Sequence, residues 1–331
     1  MPDTPLDILA IGNAIVDVIA TADDAFLEQE QLVKGSMRLV DAGEAQRLYG
    51  QMGPGRETSG GSAANTIAGL AALGLRTAFV GQVADDELGE VFTHDIRALG
   101  VEFDTVPRSG DVPTARCLIL VTPDAQRTMN TFLGASQFLP PAALDPRQVE
   151  RASILYLEGY LWDPEEPRAA MQKAIAIARG AGRKVAFTLS DGFCVDRHRD
   201  GFKALIEGGL IDMLFANEHE IQSLTGAADV EGSIVAVSGK LPLLVVTRSE
   251  KGAIAVEGNR RVEVPAAPVG AVVDTTGAGD LFAAGFLAGQ AHERPLEQCL
   301  RMGAIAAAEV ISHYGARPEV DLSALLAEEL V

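Results

Sequence analysis

Short apolar runs of strand length alternate along this chain with alanine-rich stretches whose apolar residues recur at helical spacing. "LDILAIGNAIVDVIA" opens as a strand, and "GGSAANTIAGLAALG" reads as a glycine turn, a helix of small residues and a glycine stop at Gly74. Further strands are predicted at "TAFVGQV", "ASILYLEG", "KVAFTLS", "DMLFANEHE" and "LPLLVVTRS", and helices at "EPRAAMQKAIAIARGAG" and "LEQCLRMGAIAAAEVIS". Strands spaced by helices are the mark of βαβ units around a parallel sheet, so the fold class is α/β.

Two regions break this rhythm. Residues 17–40 and 101–135 read as strands and turns with no helix between them, which predicts a small antiparallel sheet projecting as a lid. Without repeats or a long linker, they read as insertions into one domain spanning 1–331.

Composition narrows the partners. A formal charge of −19 opposes nucleic-acid binding, which draws its affinity from clustered Lys and Arg. The N-terminus lacks a signal-peptide pattern and no apolar run is long enough to span a membrane, so a cytoplasmic protein is expected. Cys117, Cys194 and Cys299 are far apart and odd in number, which suits buried thiols better than disulfides or zinc.

The chemistry concentrates at strand ends. In "VVDTTGAGDLFAAGFLAG" a strand and a glycine turn lead into an apolar helix near Asp280, so the N–H groups of Gly277, Ala278 and Gly279 would form an anion hole. A carboxylate held there can take a proton from a hydroxyl attacking phosphorus. The alternative is that Asp280 only caps the helix. "GNAIVD" sets Asn13 and Asp17 at the end of the first strand, where the carboxyl edge of a parallel sheet forms the usual ligand crevice. "NEHE", residues 217–220, follows another strand in the same way, and its carboxylates can hold Mg²⁺ through water. His219 lies inside that motif, but with no second histidine at zinc spacing it reads as a surface residue or one supporting the ligand-contacting side chains from behind.

"GNAIVD", "GGSAAN", "NEHE" and "DTTGAGD" together resemble the ribokinase family, the PfkB carbohydrate kinases, over essentially the whole chain. The resemblance implies a three-layer αβα fold with a central, mostly parallel sheet and a small β-sheet lid, and phosphoryl transfer from ATP to a sugar or nucleoside hydroxyl. It makes Asp280 the base and Gly277, Ala278 and Gly279 the amides that stabilise the transferring group. It places Asn13, Asp17, Gly61, Asn65 and Glu158 at the acceptor hydroxyls. It assigns Asn217 and Glu220 to phosphate and Mg²⁺, the latter through water, and Thr247 and Gly252 to the nucleotide loop, where Ser249 replaces the glycine of many relatives. Asp274 and Thr276 match positions that hold a monovalent cation such as K⁺ in several relatives, with capping of the turn as the alternative.

The resemblance leaves the acceptor open. Ser62 in "GGS", with the "GN-x-x-x-D" spacing, is nearer the adenosine kinase branch and favours a nucleoside, yet aromatics are 5% of the chain and a purine needs an apolar clamp. Phe103 and Phe132 are candidates for that clamp, or core residues. Fructose, ribose or a related sugar is the alternative acceptor, and a ligand-binding protein that lost activity is the rival class. An intact Asp280 favours the enzyme, and the absence of G-x-G-x-x-G after the first strand excludes a dinucleotide oxidoreductase. Arg127 reads first as a solvated turn arginine, with a lid contact to substrate or phosphate as the alternative. The partners expected are ATP and a small-molecule acceptor, and a homodimer is compatible with the reading.

Overall fold

The computed structural model describes residues 4–124 and 126–330. Its centre is an eight-stranded sheet built from β1 (Leu6–Ile11), β5 (Thr77–Val80), β8 (Ala152–Glu158), β9 (Lys184–Thr188), β10 (Met213–Asn217), β11 (Leu243–Thr247), β12 (Ala253–Glu257) and β13 (Arg260–Val264), in the order β13-β12-β11-β10-β9-β8-β1-β5. The pairs from β5 across to β11 are parallel, and the two strands at the other edge are antiparallel. Alternation along β1 divides the core between the two faces of the sheet. Ile8 and Ala10 pack with the helices Ser62–Ala72 and Ala278–Ala291, whereas Leu9 and Ile11 share the opposite core with the helices Glu165–Gly180 and Gly192–Glu207. This is the three-layer αβα arrangement.

The second sheet comprises β2 (Ile15–Thr21), β3 (Met37–Leu39), β4 (Gly55–Gly60), β6 (Ala115–Val121) and β7 (Arg127–Phe132), in the order β3-β7-β6-β2-β4. It corrects the expected lid in three ways. The sheet is mixed, because β2 pairs with β6 and β3 with β7 in parallel, strands that come from separate insertions. Residues 17–40 do contain a helix, Asp24–Gln29, started by an Asp23 carboxylate that accepts from the Phe26 amide. Residues 102 and 108 bridge to Ala78 and Ala84, so the start of the 101–135 segment lies along the edge of the main sheet and its lid portion begins near Ala115. Strand β4, "GRETSG", has no apolar alternation to announce it.

Among the described residues, no helix is long and apolar enough to cross a membrane. All three cysteines are buried free thiols, as expected.

Candidate active site

Groups after β1 and β10, at the end of β8 and on the lid strand β2 surround the start of the helix that begins at Ala278. Its N-cap is Gly277, in the left-handed region at φ 75°, and no side chain caps it. The amides of its first turn therefore lack partners within the helix and present partial positive charge. Asp280 is the third helical residue and not the cap. Its Oδ1 accepts from the Ser62 hydroxyl at 2.6 Å and its Oδ2 from the Asn65 amide at 3.0 Å, both from a helix more than 200 residues earlier in the chain. Burial raises its pKa, while Ser62, Asn65 and Arg317 oppose the rise.

Asp17 faces this group from β2. Burial pushes its pKa up to about 7, against the pull of Arg317 and with Asp280 adding to it. The Gly60–Gly61 turn fills the space between strand and helix. A Cβ on Gly60 would lie 2.3 Å from the Asp17 carboxylate, and one on Gly61, at φ 97°, would lie 2.2 Å from the Asn13 carbonyl oxygen. Only glycine lets the chain pass here.

Glu158, expected among the acceptor ligands, has 0% exposure. Its Oε1 accepts from the Asn13 backbone and side-chain nitrogens, each at 2.7 Å, and its Oε2 accepts from the Ala63 amide at 2.8 Å. It positions Asn13 and the helix start, and its hydrogen bonds are spent within the protein. Its pKa is pushed to about 7 by burial, opposed by those donors.

Asn217 and Glu220 form a reciprocal capping box: the Asn217 backbone and side-chain nitrogens donate to the Glu220 carboxylate at 2.9 and 2.6 Å, and the Glu220 amide returns a 2.8 Å bond to Asn217 Oδ1. Thr247 sits beside Asn217 in register on β11, and Gly252 closes the next turn. Ser249, between them, is held at φ 50°, the left-handed conformation that glycine adopts without strain. Burial raises the Glu220 pKa to about 7, opposed by Asn217 and reinforced by Asp191 and Asp280. Among the described residues no three metal-ligating side chains cluster, so a divalent cation would be met from Glu220 only through water.

The monovalent-cation assignment meets a different arrangement. Asp274 Oδ1 accepts from the Thr276 amide and hydroxyl at 2.7 and 2.8 Å, Oδ2 accepts from the Gly315 amide at 2.9 Å, and Arg127 Nε lies 2.5 Å from Oδ1. Asp274 thus stiffens its turn, and its charge is balanced by a lid guanidinium. Arg127, with a side chain 13% exposed, is correspondingly not the solvated turn residue expected first. His219 is exposed, as read, with its ring against Gly192. Phe103 belongs to a core cluster with Phe79 and Phe92. Phe132 pairs with Arg116 one position out of step from Asp17 and Cys117, which puts it on the far face of the lid.

Sequence reasoning missed three participants. The Ser62 hydroxyl orients Asp280, Cys117 stands in register beside Asp17, and Arg317 bridges the glycine turn. Burial pushes the Cys117 thiol up to about 12, and the Asp17 charge contributes. Nothing in a lone cysteine or an arginine near the C-terminus marked either.

The profile of the pfkB family carbohydrate kinases matches residues 6–322. The chain belongs to this family. A probable sugar kinase from Rhizobium etli CFN 42 superposes with a TM-score of 0.92 and 46% identity over 99% of this chain and 100% of that one. The adenosine kinase from Sinorhizobium meliloti gives a TM-score of 0.91 and 48% identity over 98% and 99%. A cytidine kinase from Thermococcus kodakarensis is 44% identical over 108 residues, 32% of this chain and 38% of its own. As a pfkB carbohydrate or nucleoside kinase, the protein is a phosphotransferase acting on hydroxyl groups, with ATP use implied by the family.

Proposed function

We propose that the protein transfers the γ-phosphoryl group of ATP to a hydroxyl of a nucleoside, with adenosine the favoured acceptor. The observation that carries this reading is the lid face around Asp17. The pairs Ile15 with Ala115 and Asp17 with Cys117 are in register, and Ile119 and Met129 pack nearby, so one carboxylate stands on a mostly apolar face, with Thr58 and Thr131 as its polar neighbours and Arg56 and Arg127 further along the strands. One carboxylate suits the vicinal diol of a ribose, and the apolar surround suits a base. A free hexose would leave several hydroxyls without partners there, which is costly when they are buried. The adenosine kinase similarity over nearly the whole chain supports the same reading.

In this reading Asp17 and Asn13 hold the acceptor, and Asp280 takes the proton of the attacking hydroxyl. The amides at Gly277, Ala278 and Gly279, which no side chain caps, stabilise charge on the transferring group, with the Ala278 N–H held to the Thr275 carbonyl only at 3.3 Å. Asn65 acts through Asp280, and Thr247 and Gly252 border the nucleotide. Glu220 would meet Mg²⁺ through water, and the ion, when bound with ATP, would neutralise phosphate charge. Asp274 and Thr276 shape the turn.

The test is an acceptor panel of adenosine, cytidine, ribose and fructose with ATP and Mg²⁺. Adenosine should show the highest kcat/KM by at least about tenfold, the scale of one well-placed apolar or polar contact. A higher value for fructose or ribose overturns the nucleoside reading in favour of a sugar kinase.

A further inference from the structure

Arg317 lies in the turn after the last long helix, 258 residues from its main partner. Its Nε and Nη2 donate to the Ser59 carbonyl at 3.1 and 2.6 Å, Nη2 also donates to the Ser59 hydroxyl at 2.9 Å, and Nη1 donates to the Ala64 carbonyl at 2.7 Å. Ser59 is in β4 of the lid, and Ala64 is in the first turn of the helix that follows. One planar fork therefore grips both ends of the Gly60–Gly61 turn. Ser62 lies within that grip and Asn65 directly follows Ala64, and these are the two donors to Asp280. From the other side, the Ser59 amide donates to Asp95 at 2.7 Å, which fixes the lid end of the clamp.

We propose that Arg317 is a positioning residue of the phosphoryl-transfer site, clamping the glycine turn so that Ser62 and Asn65 hold the Asp280 carboxylate, and supplying the positive charge that lets Asp17 and Asp280 be ionised side by side. This rests on the reading of Asp280 as base and Asp17 as acceptor ligand.

The geometry asks for an arginine. A lysine carries the charge but cannot reach two carbonyls five residues apart with a rigid fork, so clamp and charge are separable by substitution. The groups facing the acidic pair are Arg317, Arg127, Asp274 and the Cys117 thiol around Asp17, and Ser62, Asn65, Arg317, Tyr156, Tyr160 and the carboxyls of Glu158 and Glu220 around Asp280. Arg127 is committed to Asp274 at 2.5 Å, which leaves Arg317 as the cation that both carboxylates share. Burial lowers the guanidinium pKa to about 10, and Asp95, Asp17 and Asp280 oppose the fall, so Arg317 stays charged throughout the neutral range.

The experiment compares Arg317→Met, Arg317→Lys and Asp280→Asn with the parent enzyme in full-length protein, by pH profiles of kcat and kcat/KM with adenosine. Arg317→Met should lower kcat about tenfold or more and move the acid limb upward by on the order of one pH unit, as the carboxylates lose their shared cation. Arg317→Lys should restore the acid limb while leaving kcat low. If Arg317→Met does not fold, Arg317→Lys decides alone: low kcat with an unmoved limb supports the clamp, and parent kcat overturns it. Folded Arg317→Met with parent kcat and an unmoved acid limb also overturns the inference. Asp280→Asn retaining turnover in the same assay would instead remove the underlying reading, which keeps the two failures distinct.

Discussion

The Ser62 hydroxyl donates to the Asp280 carboxylate across 2.6 Å, joining the first turn of one helix to the first turn of another 218 residues away. Both turns follow glycines, so two helix starts meet around one carboxylate. Hydrogen bonds to charged groups contribute about 1.5 to 3 kcal/mol. Ser62→Ala should therefore raise the Asp280 pKa further and reduce kcat, by about tenfold on the acid side of the profile, with the loss shrinking as rising pH ionises the carboxylate. A pH-independent loss in steady-state kinetics would mean that Ser62 does not act through Asp280.

Activity and stability should depend on pH in opposite senses. A base must be ionised, so kcat/KM should climb through the raised pKa values of Asp280 and Asp17. Burial pushes the Asp17 pKa from its ordinary 3.8 up to about 7, so its contribution to stability is full below about pH 4 and is lost as pH rises through 7. Thermal unfolding of the apo protein should show Tm falling between pH 5 and 8, with a shallower fall in Asp17→Asn. Equal slopes in the two proteins would show that Asp17 titrates normally.

Arg127 and Asp274 tie the lid to the anion-hole turn with side chains only 13% and 2% exposed. Removing either partner leaves a poorly solvated charge and should cost about 3 kcal/mol or more. The Arg127→Ala/Asp274→Ala double variant should cost clearly less than the sum of the two single changes in urea unfolding. Strict additivity would mean the two residues do not interact.

Ser249 stands in the left-handed region at φ 50°. Ser249→Gly should relieve about 1 to 2 kcal/mol of backbone strain, partly offset by the entropy glycine adds to the unfolded chain. The expected outcome is a net gain of up to about 1 kcal/mol in urea unfolding. A loss of stability would show that the Ser249 side chain supports the loop.

The sequence announced the main sheet because buried parallel strands are short apolar runs and the helices between them carry a clear period. Of the site motifs, "GGSAAN" and "NEHE" fall where a strand hands over to a helix, "GNAIVD" joins two strands and "DTTGAGD" enters its helix from an irregular segment. Strand β4 was hidden because "GRETSG" is held by backbone pairing with β2 and by Arg317, not by its own side chains. The mixed lid arose from pairing between insertions nearly 100 residues apart, which local periodicity cannot reveal. The internal bonding of Glu158 was not legible because its position at a strand end is the same for a ligand contact and for an internal brace. Only its three protein donors distinguish them.

The central claim is that Asp280 takes the proton of the acceptor hydroxyl, and steady-state turnover of Asp280→Asn, measured beside its ATP affinity, tests it most directly. The substitution keeps the shape of the side chain and removes the charge. The account predicts turnover lower by roughly 10²-fold or more, the scale for losing a positioned base, with ATP binding close to that of the parent protein. Turnover near that of the parent would contradict it.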